Sequence, residues 1–231
     1  MPGSPALLDV TALSCGFMGH AVCGEVTVTI ASGEVLGIVG WNGAGKSTVL
    51  RTVAGRQDAL SGSVRFRGEP RQEESARWRR AVSAVFDDDA WFPGLTVREH
   101  LHLVAAGHGL AAPDRSVDQE LAFFGLEAAA KAFPETLSSG QRRRLLLAAA
   151  FLRPADLMLL DEPEQRLDPA MVARLGERIV AAADEGMAAV VVTHDPQFLT
   201  RVAGRCLVID DDVDELTPAR AAALITGRPA E

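Results

Sequence analysis

The chain has 231 residues, and its 31 acidic and 23 basic side chains give a formal net charge of −8. Hydrophobic residues make up 48% and charged residues 23%, a balance that excludes collagen-like, disulfide-scaffold and intrinsically disordered chains. The length suits one ordinary domain or a domain with a small lobe. No apolar run approaches the roughly 18–20 residues that cross a bilayer.

The charge distribution, the start of the chain and the cysteines indicate the compartment and the partners. The acidic balance argues against broad nucleic-acid binding, which needs a basic face. We interpret the arginine clusters at 77–80 and 142–144 as solvated helix faces, and the acidic run at 210–215 as a solvated turn. The chain starts without a secretion-signal pattern, and its three cysteines form no C-x-x-C pair. We therefore expect a cytoplasmic protein that does not bind nucleic acid.

The first part of the chain predicts an antiparallel β layer, a buried strand and a helix. Residues 7–13 and 26–30 alternate apolar and polar side chains, which is typical of antiparallel strands with one exposed face. Residues 35–39 form a continuous apolar run, the pattern of a buried parallel strand. A glycine-rich loop then leads to a predicted helix at 46–53, which Gly55 ends.

The middle of the chain changes from strands to helices. A strand, a short helix and a second strand are predicted between residues 64 and 86. Helical periodicity then fills 96–133, where Pro113 and Gly125 divide it into three helices. We expect this segment to form a helical lobe inserted into the α/β core.

The remaining sequence alternates helices and strands. The predicted elements are a helix at 138–152, a strand at 157–160, a helix at 170–183, a strand at 189–192, a helix at 196–202 and a strand at 206–209. Such alternation implies a mostly parallel sheet covered on both faces. The predicted fold is α/β, a single domain at 1–231. Its core, with an N-terminal antiparallel β subdomain, takes 1–87 and 134–231, and an inserted helical subdomain takes about 88–133.

A phosphate-binding motif joins the buried strand at 35–39 to the helix at 46–53. The segment at 40–48 contains the eight-residue pattern G-x-x-x-x-G-K-[ST], in the strand-to-helix position that this motif requires. The glycines let backbone N–H groups surround a polyphosphate, Lys46 can reach the β- and γ-phosphates, and Ser47 can bind Mg²⁺. The predicted nucleotide contacts are Gly40, Trp41, Asn42, Gly43, Ala44, Gly45, Lys46, Ser47 and Thr48.

Two carboxylates follow the apolar strand at 157–160. Asp161 and Glu162 stand at its C-terminal end, where ligands of open α/β sheets bind. We expect Asp161 to hold Mg²⁺ and Glu162 to act as the general base on an attacking water. An acidic pair before proline is also a common helix start, but beside a phosphate loop it indicates phosphoryl transfer to water.

A third motif brings a family resemblance. The sequence LSSGQ at 137–141 precedes a long predicted helix, so that Ser138 is a predicted N-cap and the helix start an anion site. LSSGQ resembles the LSGGQ signature of the ATP-binding-cassette ATPases and departs from it at one small residue. The order of phosphate loop, LSSGQ, LLLDEP, Leu167-Asp168 and the Thr-His-Asp at 193–195 follows this family over essentially the whole chain.

The resemblance implies the ATP-hydrolysing subunit of a transporter, using ATP and Mg²⁺ and docked from the cytoplasmic side on separate transmembrane permease subunits. It implies a head-to-tail dimer of identical or different ATPase subunits, in which the signature contacts the nucleotide of the second subunit. The signature contacts are Ser138, Ser139, Gly140 and Gln141. It also implies that Phe17 stacks on adenine, that Asp168 communicates between the two sites, and that His194 acts in catalysis at the γ-phosphate with Lys46 and Glu162.

One position departs from the family pattern. The family usually has glutamine where Asp87 stands, a residue that contacts Mg²⁺ and the attacking water. A carboxylate can also bind Mg²⁺, but it adds negative charge near the γ-phosphate. We predict Asp87 as a metal ligand beside Ser47 and Asp161, and we expect the Asp87→Gln variant to keep or raise turnover.

Two other functions fit the same motifs. A soluble cassette ATPase would drive assembly or remodelling, as in iron–sulfur cluster assembly or DNA repair. The predicted helical lobe is too short for the coiled coils of the DNA-repair type, and no C-x-x-C pair is present to bind zinc. A nucleotide-binding regulator without turnover is the other alternative, which a phosphate-release assay distinguishes.

Overall fold

The computed structural model describes residues 6–87 and 90–227. Its strands are β1 (Ala6–Ser14), β2 (Gly16–Phe17), β3 (His20–Ala21), β4 (Val26–Ala31), β5 (Val35–Gly40), β6 (Ser61–Phe66), β7 (Glu69–Pro70), β8 (Val82–Val85), β9 (Leu157–Asp161), β10 (Ala188–Val192), β11 (Arg205–Ile209) and β12 (Val213–Leu216). Its helices are α1 (Lys46–Ala54), α2 (Ala76–Ala81), α3 (Val97–Gly107), α4 (Pro113–Phe124), α5 (Ser139–Leu152), α6 (Pro169–Asp184), α7 (Pro196–Val202) and α8 (Pro218–Thr226).

A six-stranded sheet forms the centre of the fold, in the order β12–β11–β5–β10–β9–β8. Its neighbouring strands pair in parallel except β12, which lies antiparallel on β11 at one edge. Strands β9 and β10 are buried along their whole length, as parallel strands covered by helices on both faces are. The predicted α/β class with a mostly parallel sheet is confirmed.

A second sheet is antiparallel, in the order β4–β1–β6–β7. Strand β4 alternates buried and exposed residues, so that one face of this sheet is available for packing. Leu8 and Ile30 of this sheet share an apolar cluster with Leu36 and Val49 of the core. The predicted N-terminal β layer is confirmed, and its buried face rests on the sheet that carries the phosphate loop.

The helical segment packs α3 and α4 against α5, with Leu101, Leu121 and Leu145 in one buried cluster. The expectation of three helices here is wrong. Gly125 ends α4 in the left-handed conformation (φ 63°), and the chain then makes only 3₁₀ turns at Glu127–Ala129 and Pro134–Thr136. Among 6–87 and 90–227, no helix combines the length and apolarity that crossing a membrane requires.

The acidic run near the C-terminus is only partly a turn. Residues 210–212 are exposed and irregular, but the run continues into β12. Glu215 on β12 pairs with Arg205 on β11 at 2.7 Å. The turn prediction is therefore wrong for the second half of the run, where charge pairing across two strands accommodates the carboxylates.

Candidate functional site

The phosphate loop connects β5 to α1 at the C-terminal edge of the core sheet, as predicted. Gly43 and Gly45 have φ angles of 81° and 89°, a conformation that residues with a Cβ rarely adopt. The buried Lys46 donates from Nζ to the carbonyl oxygens of Gly40 (3.1 Å) and Trp41 (2.7 Å). The ammonium is thus held against the loop whose N–H groups are suited to surround a phosphate.

Ser47 and Asp161 meet beside this loop. The Ser47 hydroxyl donates to Oδ1 of Asp161 at 3.1 Å, although the two residues are 114 positions apart in the chain. Burial raises the pKa of the Asp161 carboxyl, and the hydrogen bond from Ser47 opposes that rise. A hydroxyl and a carboxylate are hard oxygen ligands of the kind that Mg²⁺ takes. The structure brings two of the three predicted metal ligands together.

Glu162 lies next to His194, on the turn that follows β9. Its Oε1 is 3.4 Å from Nε2 of His194, and this hydrogen bond lowers the pKa of Glu162 against the effect of burial. The backbone of Glu162 is left-handed, with φ of 47°, and its N–H donates to the carbonyl of Val192 at 2.9 Å. The lowered pKa favours the ionised carboxylate, which is the form that accepts a proton, and at the same time makes Glu162 a weaker base.

Asp87 faces an arginine. Its Oδ1 lies 2.8 Å from Nη2 of Arg166, in the turn after Glu162, and both side chains are partly exposed. The turn adopts a left-handed backbone at Arg166 as well, with φ of 65°. Arg166 therefore competes with a metal ion for the carboxylate of Asp87. The metal-binding role of Asp87 stays a prediction.

The signature segment forms the predicted N-terminus of α5. Ser138 accepts from the Gln141 N–H at 3.2 Å, and the Gln141 side chain accepts from the Ser138 N–H at 3.0 Å, which completes a capping box. A Cβ at Gly140 would lie 2.7 Å from the carbonyl oxygen of Arg166. Ser139 is exposed. The departure from LSGGQ therefore occurs at an open position, and glycine stands where the backbone of another segment approaches closely.

Two further predicted contacts lie on separate elements. Phe17 is 58% exposed in the hairpin of β2 and β3, so it is available to stack on a ligand and does not belong to the core. Asp168 caps α6 by accepting from the Met171 N–H at 3.0 Å, and this bond contributes most to lowering the pKa of its carboxyl. Asp168 also pairs with Arg144 of α5, which links the helix that carries the signature to the segment after Glu162.

Two charged residues near the carboxylates were not predicted, Arg143, which is buried, and Glu164, which is partly buried. The solvated-face interpretation of 142–144 is wrong at Arg143, which is 2% exposed and donates to three main-chain carbonyls. The signal was its helical spacing, because Leu147 and Ala150 lie on the same face at i+4 and i+7 and are also buried. Glu164 accepts a hydrogen bond from Thr193, the residue before His194, and burial raises its pKa.

The comparisons with known proteins point to one family. The family model described as "ABC transporter" matches residues 23–165. The thiamine import ATP-binding protein ThiQ of Cereibacter sphaeroides is 36% identical over 204 residues, with 87% of each chain covered. The ABC-type transporter ATP-binding protein EcsA of Bacillus subtilis is 31% identical over 191 residues, covering 82% of this chain and 77% of that protein.

A solved ATP-binding subunit of an ABC transporter has the same fold, with a TM-score of 0.84 at 26% identity over 95% of this chain and 99% of that one. The chain belongs to the ABC transporter family. Within that family it is an ATP-binding subunit, an ATPase that powers transport. The resemblance drawn from the motifs is confirmed, whereas the roles of the individual site residues stay predictions.

Proposed function

We propose that this chain hydrolyses MgATP as one half of an ATPase dimer and transmits the cycle to a transmembrane permease from the cytoplasmic side. One observation carries the proposal. The phosphate loop, the Ser47–Asp161 pair and the Glu162–His194 pair converge where β5, β9 and β10 end, which is the edge where open α/β sheets bind ligands.

The arrangement assigns each side chain a step. Lys46 exchanges the carbonyls of Gly40 and Trp41 for the β- and γ-phosphates. Glu162 accepts a proton from the water that attacks the γ-phosphorus, and the bond to the ADP oxygen breaks. Ser47 and Asp161 would hold Mg²⁺, which when bound neutralises charge on the phosphate oxygens. Asp87 would join this set in competition with Arg166.

The exposed start of α5 accounts for the dimer. Ser138 and Ser139 are exposed at the N-terminus of a 14-residue helix, where backbone N–H groups and the helix dipole favour an anion. We place there the γ-phosphate of ATP bound to a second subunit. This chain carries both the phosphate loop and the signature, so that two copies of it, or one copy and a related subunit, complete two sites.

A cavity between the core and the helical segment is a suitable docking site for the permease. Its volume is about 730 Å³, and Phe86, Phe92, His100 and Leu103 are among its lining residues. Phe92 is 51% and Leu103 44% exposed, so that apolar surface is free to be covered. We place a permease segment in this cavity, which is lined by Phe86, the residue before Asp87, with about 88–133 acting as the helical subdomain of a single ABC ATPase domain.

Phosphate release by the purified chain tests the hydrolytic part. Wild type is expected to release phosphate with MgATP and not with ATP and EDTA. Glu162→Gln is expected to bind MgATP and to run as a dimer in light scattering, because the nucleotide remains intact between two subunits. No release by wild type under any condition would favour the non-hydrolysing regulator, and near-normal turnover of Glu162→Gln would remove Glu162 as the base.

Affinity purification tests the partner. Tagged Glu162→Gln protein is isolated with MgATP from detergent-solubilised membranes of the source cell, and its partners are identified by mass spectrometry. A multi-span membrane protein at stoichiometric level is expected. Adding Phe92→Asp to the tagged protein is expected to lose it, whereas Phe92→Asp alone, with Glu162 intact, is expected to keep phosphate release. Recovery of soluble proteins alone would favour the assembly or remodelling class.

A further inference from the structure

Arg143 lies behind the two carboxylates, on α5. Its Nη1 donates to the carbonyl oxygen of Phe86 at 2.9 Å. Its Nη2 donates to the carbonyl oxygens of Asp161 at 2.5 Å and Glu162 at 2.6 Å. One guanidinium therefore connects three segments of the site: α5, the strand end before Asp87 and the turn after β9.

Burying the charged guanidinium of Arg143 costs free energy of folding. Burial lowers the pKa of Arg143, and the nearby carboxylates of Asp87, Glu164 and Asp161 act in the opposite direction. An aliphatic residue would fill the same helix face, with Leu147 and Ala150, without the penalty of desolvating a charge. The presence of arginine at residue 143 is therefore better explained by the three main-chain carbonyls that it binds than by packing.

The hydrogen bonds hold a strained peptide. Glu162 is a non-glycine residue with φ of 47°, a conformation that persists only where the surroundings impose it. Its N–H is fixed by the carbonyl of Val192, and its carbonyl is fixed by Arg143. The backbone of Glu162 is thus held on both sides, and its side chain is directed to His194.

We propose that Arg143 is a positioning residue for ATP hydrolysis. It imposes the left-handed backbone that directs the Glu162 carboxylate to the attacking water. Through Phe86 it also fixes that carboxylate relative to the strand end before Asp87. The inference rests on the proposed role of Glu162 as general base, and it adds a residue outside the phosphate loop and the signature to the determinants of turnover.

Steady-state ATP hydrolysis by the full chain tests this role of Arg143. The rates of Arg143→Gln, Glu162→Gln and the double variant are compared with wild type. Arg143→Gln is expected to lower kcat about 10- to 100-fold, the range for a misplaced catalytic group, with KM for ATP changed less than about threefold. In the Glu162→Gln background, the same substitution is expected to lower the residual rate less than about twofold, because residues that act as one unit are not additive. Arg143→Lys, which keeps the charge but lacks the planar fork, is expected to recover part of kcat.

Arg205→Gln is the matched control. Arg205 also ties separate segments together, through Glu34, Glu215 and the carbonyl of Thr29, at the opposite end of the core sheet. Its substitution is expected to lower the melting temperature and to leave kcat unchanged. This control measures how much stability is lost when an arginine that connects several segments is removed far from the carboxylates.

Wild-type kcat in Arg143→Gln would overturn the inference, and so would losses that multiply in the double variant. If Arg143→Gln does not fold, Arg143→Lys takes its place, alone and in the double variant, and wild-type kcat there has the same meaning. Normal turnover by Glu162→Gln alone would instead refute the proposed general base, a result that is distinguishable because it does not involve Arg143.

Discussion

The two halves of the nucleotide site are fixed in different ways. The phosphate loop at 40–48 owes its shape to left-handed glycines, and a Cβ at Gly43 would meet nothing within 4 Å. The carboxylate segment at 161–164 is instead held by side chains, since hydrogen bonds from Ser47, His194 and Arg143 reach it. One half is a frame of backbone donors, and the other is a set of buried and partly buried charges with assigned partners.

This difference predicts that binding and turnover can be separated by substitution. Backbone N–H groups and a lysine ammonium attract a polyphosphate whatever the state of the general base. A carboxylate that accepts a proton contributes in the transition state and little to ground-state affinity. We therefore expect changes in the carboxylate segment to act on kcat and changes around the phosphate loop to act on ATP affinity.

The largest expected effect is on turnover in Glu162→Gln. Loss of a general base typically costs 10²- to 10⁴-fold, so we expect kcat to fall by about that factor. The dissociation constant for ATP, measured by calorimetry, is expected to change less than about threefold. The amide keeps the size of the side chain, so that a parallel loss of affinity would break the separation between the two halves.

Lys46→Ala is the reciprocal change. Removing one partner of a desolvated charge contact costs about 2–5 kcal/mol, which corresponds to a loss of ATP affinity of about 30-fold or more. Trp41 lies in the same loop, so that its fluorescence can report binding. Because Lys46 bonds Gly40 and Trp41 in the described structure, the melting temperature of the variant is measured too, and an intact fold with unchanged ATP affinity would contradict the assignment.

Phe17→Ala is expected to act on affinity more weakly. Stacking of a base on an aromatic side chain is worth about 1–3 kcal/mol, and the ring is exposed in this structure. We expect ATP to bind about tenfold more weakly, with kcat at saturation unchanged. Met18, which is 99% exposed beside it, provides the control Met18→Ala. An equal loss in both variants would show that the hairpin as a whole, rather than the ring, matters.

The sequence predicts elements well where burial repeats over several residues. The apolar runs of β5, β9 and β10 and the alternation of β4 locate these strands to within a residue or two. Strand β12 was missed because an acidic run has no apolar pattern, and it is held by pairing with β11 at the edge of the sheet. Helix α8 is not predicted by hydrophobic periodicity, although Thr217 and Pro218 are residues typical of a helix start.

The site residues divide in the same way into those with a sequence pattern and those without one. Ser47, Asp161, Glu162 and the Ser138 cap come from motifs whose spacing carries the chemistry. The structure brings Ser47 to Asp161 and Glu162 to His194 and shows the Ser138 cap, while the catalytic and binding roles stay predictions. The pair of Asp87 with Arg166 joins residues 79 positions apart, and no local pattern connects them. Arg143 was missed for another reason, because a run of three arginines suggests solvent even when helical geometry turns one of them inwards.

The smallest expected effect on kcat is that of Asp87→Gln. Its measurement decides to which half of the site Asp87 belongs. The ion pair with Arg166 is partly exposed, and such pairs contribute about 0–1 kcal/mol. Asp87→Gln therefore leaves folding nearly unchanged, removes a negative charge near the phosphates, and restores the side chain that the family usually has. We expect its kcat with MgATP to equal or exceed that of wild type, by no more than a few-fold.

Arg166→Gln breaks the same ion pair and leaves the carboxylate at position 87, which makes it the matched control. If Asp87 serves only as the partner of Arg166, the two variants should have the same kcat and the same dependence on Mg²⁺ concentration. If Asp87 binds the metal ion, Arg166→Gln should need less Mg²⁺ for half-maximal activity, because the carboxylate is released to bind it, and Asp87→Gln should need more. A complete loss of turnover in Asp87→Gln alone would assign the carboxylate to the catalytic half and would contradict the expectation that kcat depends on the carboxylate segment at 161–164.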